Sequence, residues 1–519
     1  MTTEAPKRAE KIDAAVLKIA GVVVLGSIMS ILDITVVNVA LPTFQEQLNV
    51  QNYSTVAWTV TAYTLALATV IPLTGWAADR FGTKRLYMAA LTLFAAGSAL
   101  CATADSIGML IGFRVLQGLG GGMLMPLGMT IMTRAAGPDR IGRLMAILGV
   151  PMLLGPILGP ILGGWLIDNA SWHWIFLINV PLGAIALLYA WRALPKDSPE
   201  PSETFDFIGM LLMSPGLALF LYGVSSIPAA GTVLDAKVLI TMIAGLLLIV
   251  TFVLYSFKPE HPLLDLRLFR NRNLTIAVIT MFLFGAAFFG GLLLVPTYFQ
   301  VVRGELPFDA GLLMAPQGLG AMLTMPLAGA LADKMPVGRI VPVGIVVILV
   351  GMFGLTQIEA DTSYTYLIAT LFVLGLGMGA TMMPLFTAAL RTLTHHEVAR
   401  GSTLLNITQQ IASSVGVAVI SVIYTNMLKS SHAVVAAQSV EEAKRTGAQP
   451  PAQALELMQS LGHKFESIVK IDMAHAFSVS FWVSFALVAV TFGFSFLLPR
   501  KHEESHMLDE EGAPPVVLH

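Results

Sequence analysis

The chain reads as an all-α membrane protein that crosses the bilayer fourteen times. Three observations predict this. Long apolar segments fill almost the whole chain, and basic residues gather in alternate gaps between them. The composition, 55% hydrophobic and only 12% charged, with mean hydropathy +0.76, leaves too little charge to cover a soluble surface.

A bilayer core of about 30 Å needs about 20 apolar residues per helix. On that measure the spans fall at roughly 16–42, 54–77, 86–105, 107–132, 142–166, 172–193, 206–226, 235–257, 273–300, 309–332, 338–357, 364–389, 401–427 and 472–498. Span 1 follows Lys7, Arg8 and Lys11, but it is too long for a signal-peptide core and lacks a small-residue cleavage site. It is expected to be a retained helix. Very short turns join several neighbouring spans, so the bundle must be compact. The polar stretch 428–471, with Pro450-Pro451 inside it, is expected to be a partly helical cap. The charged tails, 1–15 and 499–519, are expected to be disordered.

Lysine and arginine orient the spans. With a cytoplasmic N-terminus they should collect before span 1 and after each even-numbered span. They do so at Lys7, Arg8 and Lys11; at Arg80, Lys84 and Arg85; at Arg134, Arg140 and Arg143; and at Arg192 and Lys196. The pattern continues at Lys258, Arg267, Arg270 and Arg272, at Lys334 and Arg339, at Arg391 and Arg400, and at Arg500 and Lys501. The short loops on the other side hold only Lys237 and Arg303. Both termini are therefore expected in the cytoplasm.

The chain also repeats itself. Gly75, Ala78, Asp79, Arg80 and Arg85 find Gly329, Ala332, Asp333, Lys334 and Arg339 at one constant offset. Gly120, Gly122, Thr130 and Arg134 find Gly377, Gly379, Thr387 and Arg391, again in step. Spans 2 and 4 thus correspond to spans 10 and 12. The expected architecture is a six-helix bundle (16–193), an inserted pair (206–257) and a second six-helix bundle (273–498). Many secondary transporters place two such repeats around a central substrate site.

Several motifs make the reading specific. GWAADRFGTKR, Gly75 to Arg85, joins spans 2 and 3. Gly75 and Gly82 permit a close helix approach and a tight turn, Asp79 can cap or pair at a neighbouring helix, and Lys84 and Arg85 hold the basic side. The alternative, an ordinary charged turn, sits poorly with its echo around Asp333. Span 5 carries GVPMLLGPILGPILGG, with Gly149, Gly155, Pro156, Gly159, Gly163 and Gly164. Such a run permits close packing and bending. Span 1 reads LDITVVNVALP, span 2 WTVTAYTLA, span 6 WHWIFLINVPLG, and HPLLDLRLF follows span 8.

Together these motifs resemble the fourteen-helix drug:proton antiporters of the major facilitator superfamily, over nearly the whole chain. The resemblance implies a major facilitator fold and a proton-coupled multidrug efflux antiporter. It would export amphipathic compounds, cationic ones included, by alternating access in a bacterial inner or plasma membrane. The coupling ion would be the proton, with no cofactor. The span 5 run resembles the family's antiporter motif, extended here by Pro160, and the Gly75–Arg85 loop its conformational lock. Where the family has arginine between the two tryptophans of span 6, this chain has His173. A dedicated exporter of one endogenous metabolite, lipid or amino acid on the same fold is the alternative, and a non-transporting receptor a more distant one.

Two charges lie inside spans. A carboxylate there costs at least about 2.5–3.5 kcal/mol on insertion scales, and such residues often relay protons. Asp33 lies about eight residues, and Arg114 about seven, from the outer ends of spans 1 and 4, so both sit roughly 10–12 Å deep and can meet. Arg114 would then tune the proton affinity of Asp33; the alternative is a static ion pair that only fixes packing. Polar and aromatic residues that could line a substrate cavity are Asn38, Trp58, Tyr63, Gln117, Phe288, Phe289, Gln317, Asn406, Gln409 and Gln410. Interhelical hydrogen bonding or lipid contact would explain them as well.

Other chemistry is not supported. A single cysteine, Cys101, gives neither a disulfide nor a multi-cysteine metal site, and His395 and His396 are not at metal-ligand spacing with other donors. No Walker sequence or catalytic constellation is present, so no enzyme is expected. The net charge of −2 points to no nucleic-acid partner. The expected partners are amphipathic small molecules and the lipid bilayer, with a periplasmic adaptor left open.

Overall fold

A computed structural model describes residues 13–50, 53–136, 140–197, 204–230, 232–391, 393–394, 397–446 and 449–501. The far ends of both tails, and His395 and His396, lie outside the described residues.

Apolar runs in a bilayer can satisfy their backbone only as helices or closed barrels, and here they form helices. The first bundle holds Ala14–Gln47, Tyr53–Val70, Thr83–Cys101, Ile107–Ala136, Ile141–Asn169 and a sixth span built from His173–Leu177 and Asn179–Ala193. Span 2 passes through a 3-10 turn, Ile71–Leu73, where Pro72 removes a donor, and continues as Thr74–Phe81. The inserted pair is Phe207–Ala230 and Ala236–Tyr255. The second bundle holds Arg272–Val301, Pro307–Ala332, Val337–Thr356, Tyr364–Arg391, Val398–Ser430 and Phe465–Ser495. Among the described residues eleven helices are long and apolar enough to cross a membrane; spans 3, 5 and 10 complete the fourteen. Span 3 has Lys84 and Arg85 in its own first turn, which dilutes its apolar run.

The polar cap is more helical than its composition suggests. His432–Thr446 and Ala452–Leu461 pack on each other, and span 14 already begins at Phe465. The Ser431 hydroxyl donates to Asp472 Oδ2 at 2.6 Å, fastening the cap to span 14.

The ends at which span 1 begins form the basic face. There span 5 packs on span 10, and span 13 on spans 2 and 4, so the bundles meet along two seams. Inserted span 7 touches both span 2 and span 13 and carries span 8 on its back.

Gly82 ends span 2 at φ +90°, which favours glycine, and a Cβ there would collide with Asp197. That carboxylate caps span 3, accepting from the Lys84 N–H at 2.8 Å and the Arg85 N–H at 3.0 Å. The Lys84 ammonium in turn donates to the carbonyls of Trp191 and Leu194, at 2.7 Å each, at the end of span 6. The loop motif therefore clamps spans 3 and 6 together, through an aspartate the sequence did not single out.

Candidate functional site

Asp33 and Arg114 meet. The Arg114 Nη1 donates to Asp33 Oδ2, with both side chains fully buried. Arg114 and Gln117 stand three residues apart on span 4 and so share a face. Gln117 Nε2 donates to Asp33 Oδ1 at 2.7 Å, while its own Oε1 accepts from Arg114 Nη1 at 2.8 Å. Asn179 of span 6 donates to Asp33 Oδ1 at 3.2 Å and to Ser98 Oγ of span 3 at 3.1 Å. The Arg114 Nε donates to the Thr59 carbonyl of span 2 at 3.0 Å, and its guanidinium lies 4.1 Å from the Tyr63 ring centre. Five spans thus converge on one carboxylate. Asp33 accepts three hydrogen bonds, one of them from a guanidinium.

Sequence reading found Asp33, Arg114 and Gln117 but missed Asn179, Ser98 and Thr59. Asn179 lies within the span 6 motif and was the one legible signal. Tyr63 and Gln117, expected in a substrate cavity, are fully buried parts of this cage.

Span 5 grips the other side of span 1. A Cβ on Gly155 would collide with Ile31, and one on Gly159 with Thr35. A Cβ on Gly163 would stand 3.2 Å from Val36, and the Thr35 hydroxyl donates to the Gly155 carbonyl at 3.1 Å. Gly149 faces Met325 and Met383 of the second bundle. A Cβ on Gly164 would meet nothing within 4 Å. The Pro156 side chain lies outside the described residues. Gly159→Ala should therefore lower stability by about 1–3 kcal/mol through overpacking. Gly164→Ala should change it by less than about 0.5 kcal/mol; thermal melting of both variants in detergent checks the contrast.

At the basic face polar side chains join neighbouring spans. Asp79 pairs with Arg134 at 3.1 Å inside its own bundle, and Arg80 lies half-buried beside it. Its counterpart Asp333 crosses the seam, accepting from the Gly142 N–H at 2.8 Å and from Arg143 Nε at 2.9 Å. Burial raises the Asp333 carboxyl above its ordinary value, and the bonds from Arg143 and Gly142 lower it part of the way back. Gly329 and Gly142 approach backbone to backbone at this crossing. In the other seam Gly75 packs on Ala399 and Arg400, and the Thr74 and Thr403 hydroxyls bond at 3.0 Å. Asn406 reaches across to Met129 Sδ at 3.1 Å. These contacts close the basic face between the bundles.

The remaining cavity candidates do not converge. Asn38 is exposed on span 1, and Trp58 stacks on Tyr222 of inserted span 7 with ring centres 5.4 Å apart. Phe288 stacks on Phe284 at 5.8 Å and meets Phe289 edge-on at 4.9 Å. Gln317 is buried between spans 10 and 12, donating to Met378 Sδ at 3.2 Å, and Asn406 also donates to the Ser402 carbonyl at 2.8 Å. Both amides thus take part in hydrogen bonds within the helical bundle. Gln409 and Gln410 are half-buried on span 13. His173 stacks on Trp172 at 3.9 Å. Among the described residues no cluster of three or more histidine, cysteine or acidic side chains could hold a metal.

Comparison with known proteins shows the family. The sequence profile of the Major Facilitator Superfamily matches residues 23–417. The multidrug resistance protein B homolog of Mycobacterium tuberculosis (strain ATCC 25618 / H37Rv) is 47% identical over 503 residues, 96% of this chain and 92% of that one. The multidrug export protein EmrB of Escherichia coli (strain K12) is 31% identical over 418 residues, 79% of this chain and 80% of that one. The human organic anion transporter MFSD10 superposes with a TM-score of 0.59 over 91% of this chain and 99% of its own, at 17% identity, a likeness of fold alone. With fourteen helical spans, an internal repeat and a sequence profile that agree, this multi-pass membrane protein is a transporter of the major facilitator superfamily.

Proposed function

We propose that this chain is a proton-coupled multidrug efflux antiporter. The observation that carries the reading is Asp33, a carboxylate buried in the first bundle and held by Arg114, Gln117 and Asn179. A membrane-embedded acid with a movable cage can take a proton when the cage opens and lose it when Arg114 returns. The names of the relatives, multidrug resistance protein B homolog and multidrug export protein EmrB, support drug efflux as the transport.

In this reading the basic face is cytoplasmic, the membrane is a bacterial inner or plasma membrane, and both termini lie inside. The substrates are amphipathic small molecules, cationic ones among them, with protons as the coupling ion and no cofactor or nucleic-acid partner. Efflux alternates between the closed basic face described above and a state open to the cytoplasm. The test is an imposed pH gradient across proteoliposomes holding the purified protein. Ethidium accumulation that follows the gradient and collapses with nigericin supports antiport. Ethidium movement indifferent to the gradient rejects it.

A further inference from the structure

We infer, resting on the reading of Asp33 as the proton carrier, that its proton leaves through the interior of the first bundle along a row of hydroxyls: Ser30 with Tyr63, then Ser27, then Tyr87. Asp33, Ser30, Gly26 and Val22 lie at i, i−3, i−7 and i−11 on span 1 and form one stripe. Ser30 Oγ and the Tyr63 hydroxyl are hydrogen-bonded at 3.2 Å. One turn closer to the basic face, Ser27 Oγ is fully buried and has no hydrogen-bond partner among the described residues. The buried Tyr87 hydroxyl of span 3 approaches span 1 at Gly26, the residue adjoining Ser27 in sequence, and donates to the Val22 carbonyl at 3.2 Å.

Both tyrosine hydroxyls sit in notches that only glycine leaves open. A Cβ on Gly26 would collide with the Tyr87 hydroxyl, and one on Gly121 with that of Tyr63. From Asp33 to Val22 the stripe covers about 16 Å of helix axis. Its far end lies in the second turn of span 3, beside the basic face.

A buried hydroxyl without a partner is unfavourable unless water reaches it. Side chains three residues apart on a helix stand about 5–6 Å from each other, a gap that one water bridges. Water at Ser27 would therefore join Ser30 to Tyr87. Each hydroxyl takes one proton and passes on another, so the row ends unchanged. Asp33 is left as the carboxylate that Arg114 receives again. The bonds of Asp33 described above go to Arg114, Gln117 and Asn179 and not to the row. The row is thus disconnected while the basic face is closed, which prevents a leak.

The test compares wild type with Ser27→Ala and Tyr87→Phe in proteoliposomes. One readout is ethidium-driven proton movement; the other is ethidium exchange at equal pH, which needs no net proton release. The row predicts proton movement reduced about tenfold or more, positioned proton-transfer groups contributing typically about 10²–10⁴-fold, with exchange unchanged. Proton movement at the wild-type rate in both variants would overturn the inference, as would equal losses in both readouts, which mark a packing role. Absent ethidium-driven proton movement in wild type removes the antiport reading itself and the inference with it.

Discussion

Asp33→Leu should destabilise the protein by about 3–5 kcal/mol, because it strands a fully buried guanidinium that cannot lose its proton. Arg114→Leu should do less damage. Asp33 can then take up a proton and become neutral, and the amide groups of Gln117 and Asn179 can turn to meet it. The double variant Asp33→Leu/Arg114→Leu should recover most of the loss, since a buried ion pair replaced as a unit is often neutral or stabilising. It should nevertheless transport nothing. Thermal melting of the two single variants and the double, set out as a mutant cycle, measures the coupling. Recovered stability without transport means that the pair is there for function. A double variant as unstable as the worse single would make it a packing device.

Asp333→Asn should open the basic face. The variant keeps the side-chain shape but removes the charge that binds Arg143 and the Gly142 N–H across the seam. Hydrogen bonds to charged groups contribute about 1.5–3 kcal/mol, so the balance between closed and open states should shift roughly 10–150-fold. Spin labels on Arg85→Cys and Arg339→Cys, both exposed at the basic face, report the distance between the bundles. The buried native Cys101 stays out of reach of the label. A longer distance in the Asp333→Asn protein is expected; an unchanged distribution would mean that the Gly142–Gly329 packing holds the seam alone.

The fourteen spans were legible because a bilayer imposes one length and one backbone solution on every crossing. Asp33 and Arg114 were legible for a related reason: charge at that depth is expensive enough to demand a partner, and helical rise alone put them level. The rest of the cage was not. Asn179, Ser98 and Thr59 contribute an amide, a hydroxyl and a backbone carbonyl, and one sequence does not distinguish such groups from those that hold helices together. Gln317 and Asn406 show the same ambiguity from the other side: named as cavity candidates, they also bond to Met378 and Met129 of other spans. The repeat located Asp333, but its partner Arg143 had been counted only as an orienting charge. The repeat set Asp79 and Asp333 in register but did not show that Asp79 meets Arg134 and that Asp333 meets Arg143 across the seam.

In the proposed function Asp33 carries the coupled proton. The most direct measurement is proton movement in proteoliposomes with a pH-sensitive dye inside, wild type against Asp33→Asn, on addition of ethidium. The account predicts ethidium-dependent proton movement in wild type and none in the variant. Movement that persists in Asp33→Asn would contradict it and assign the proton to another acid.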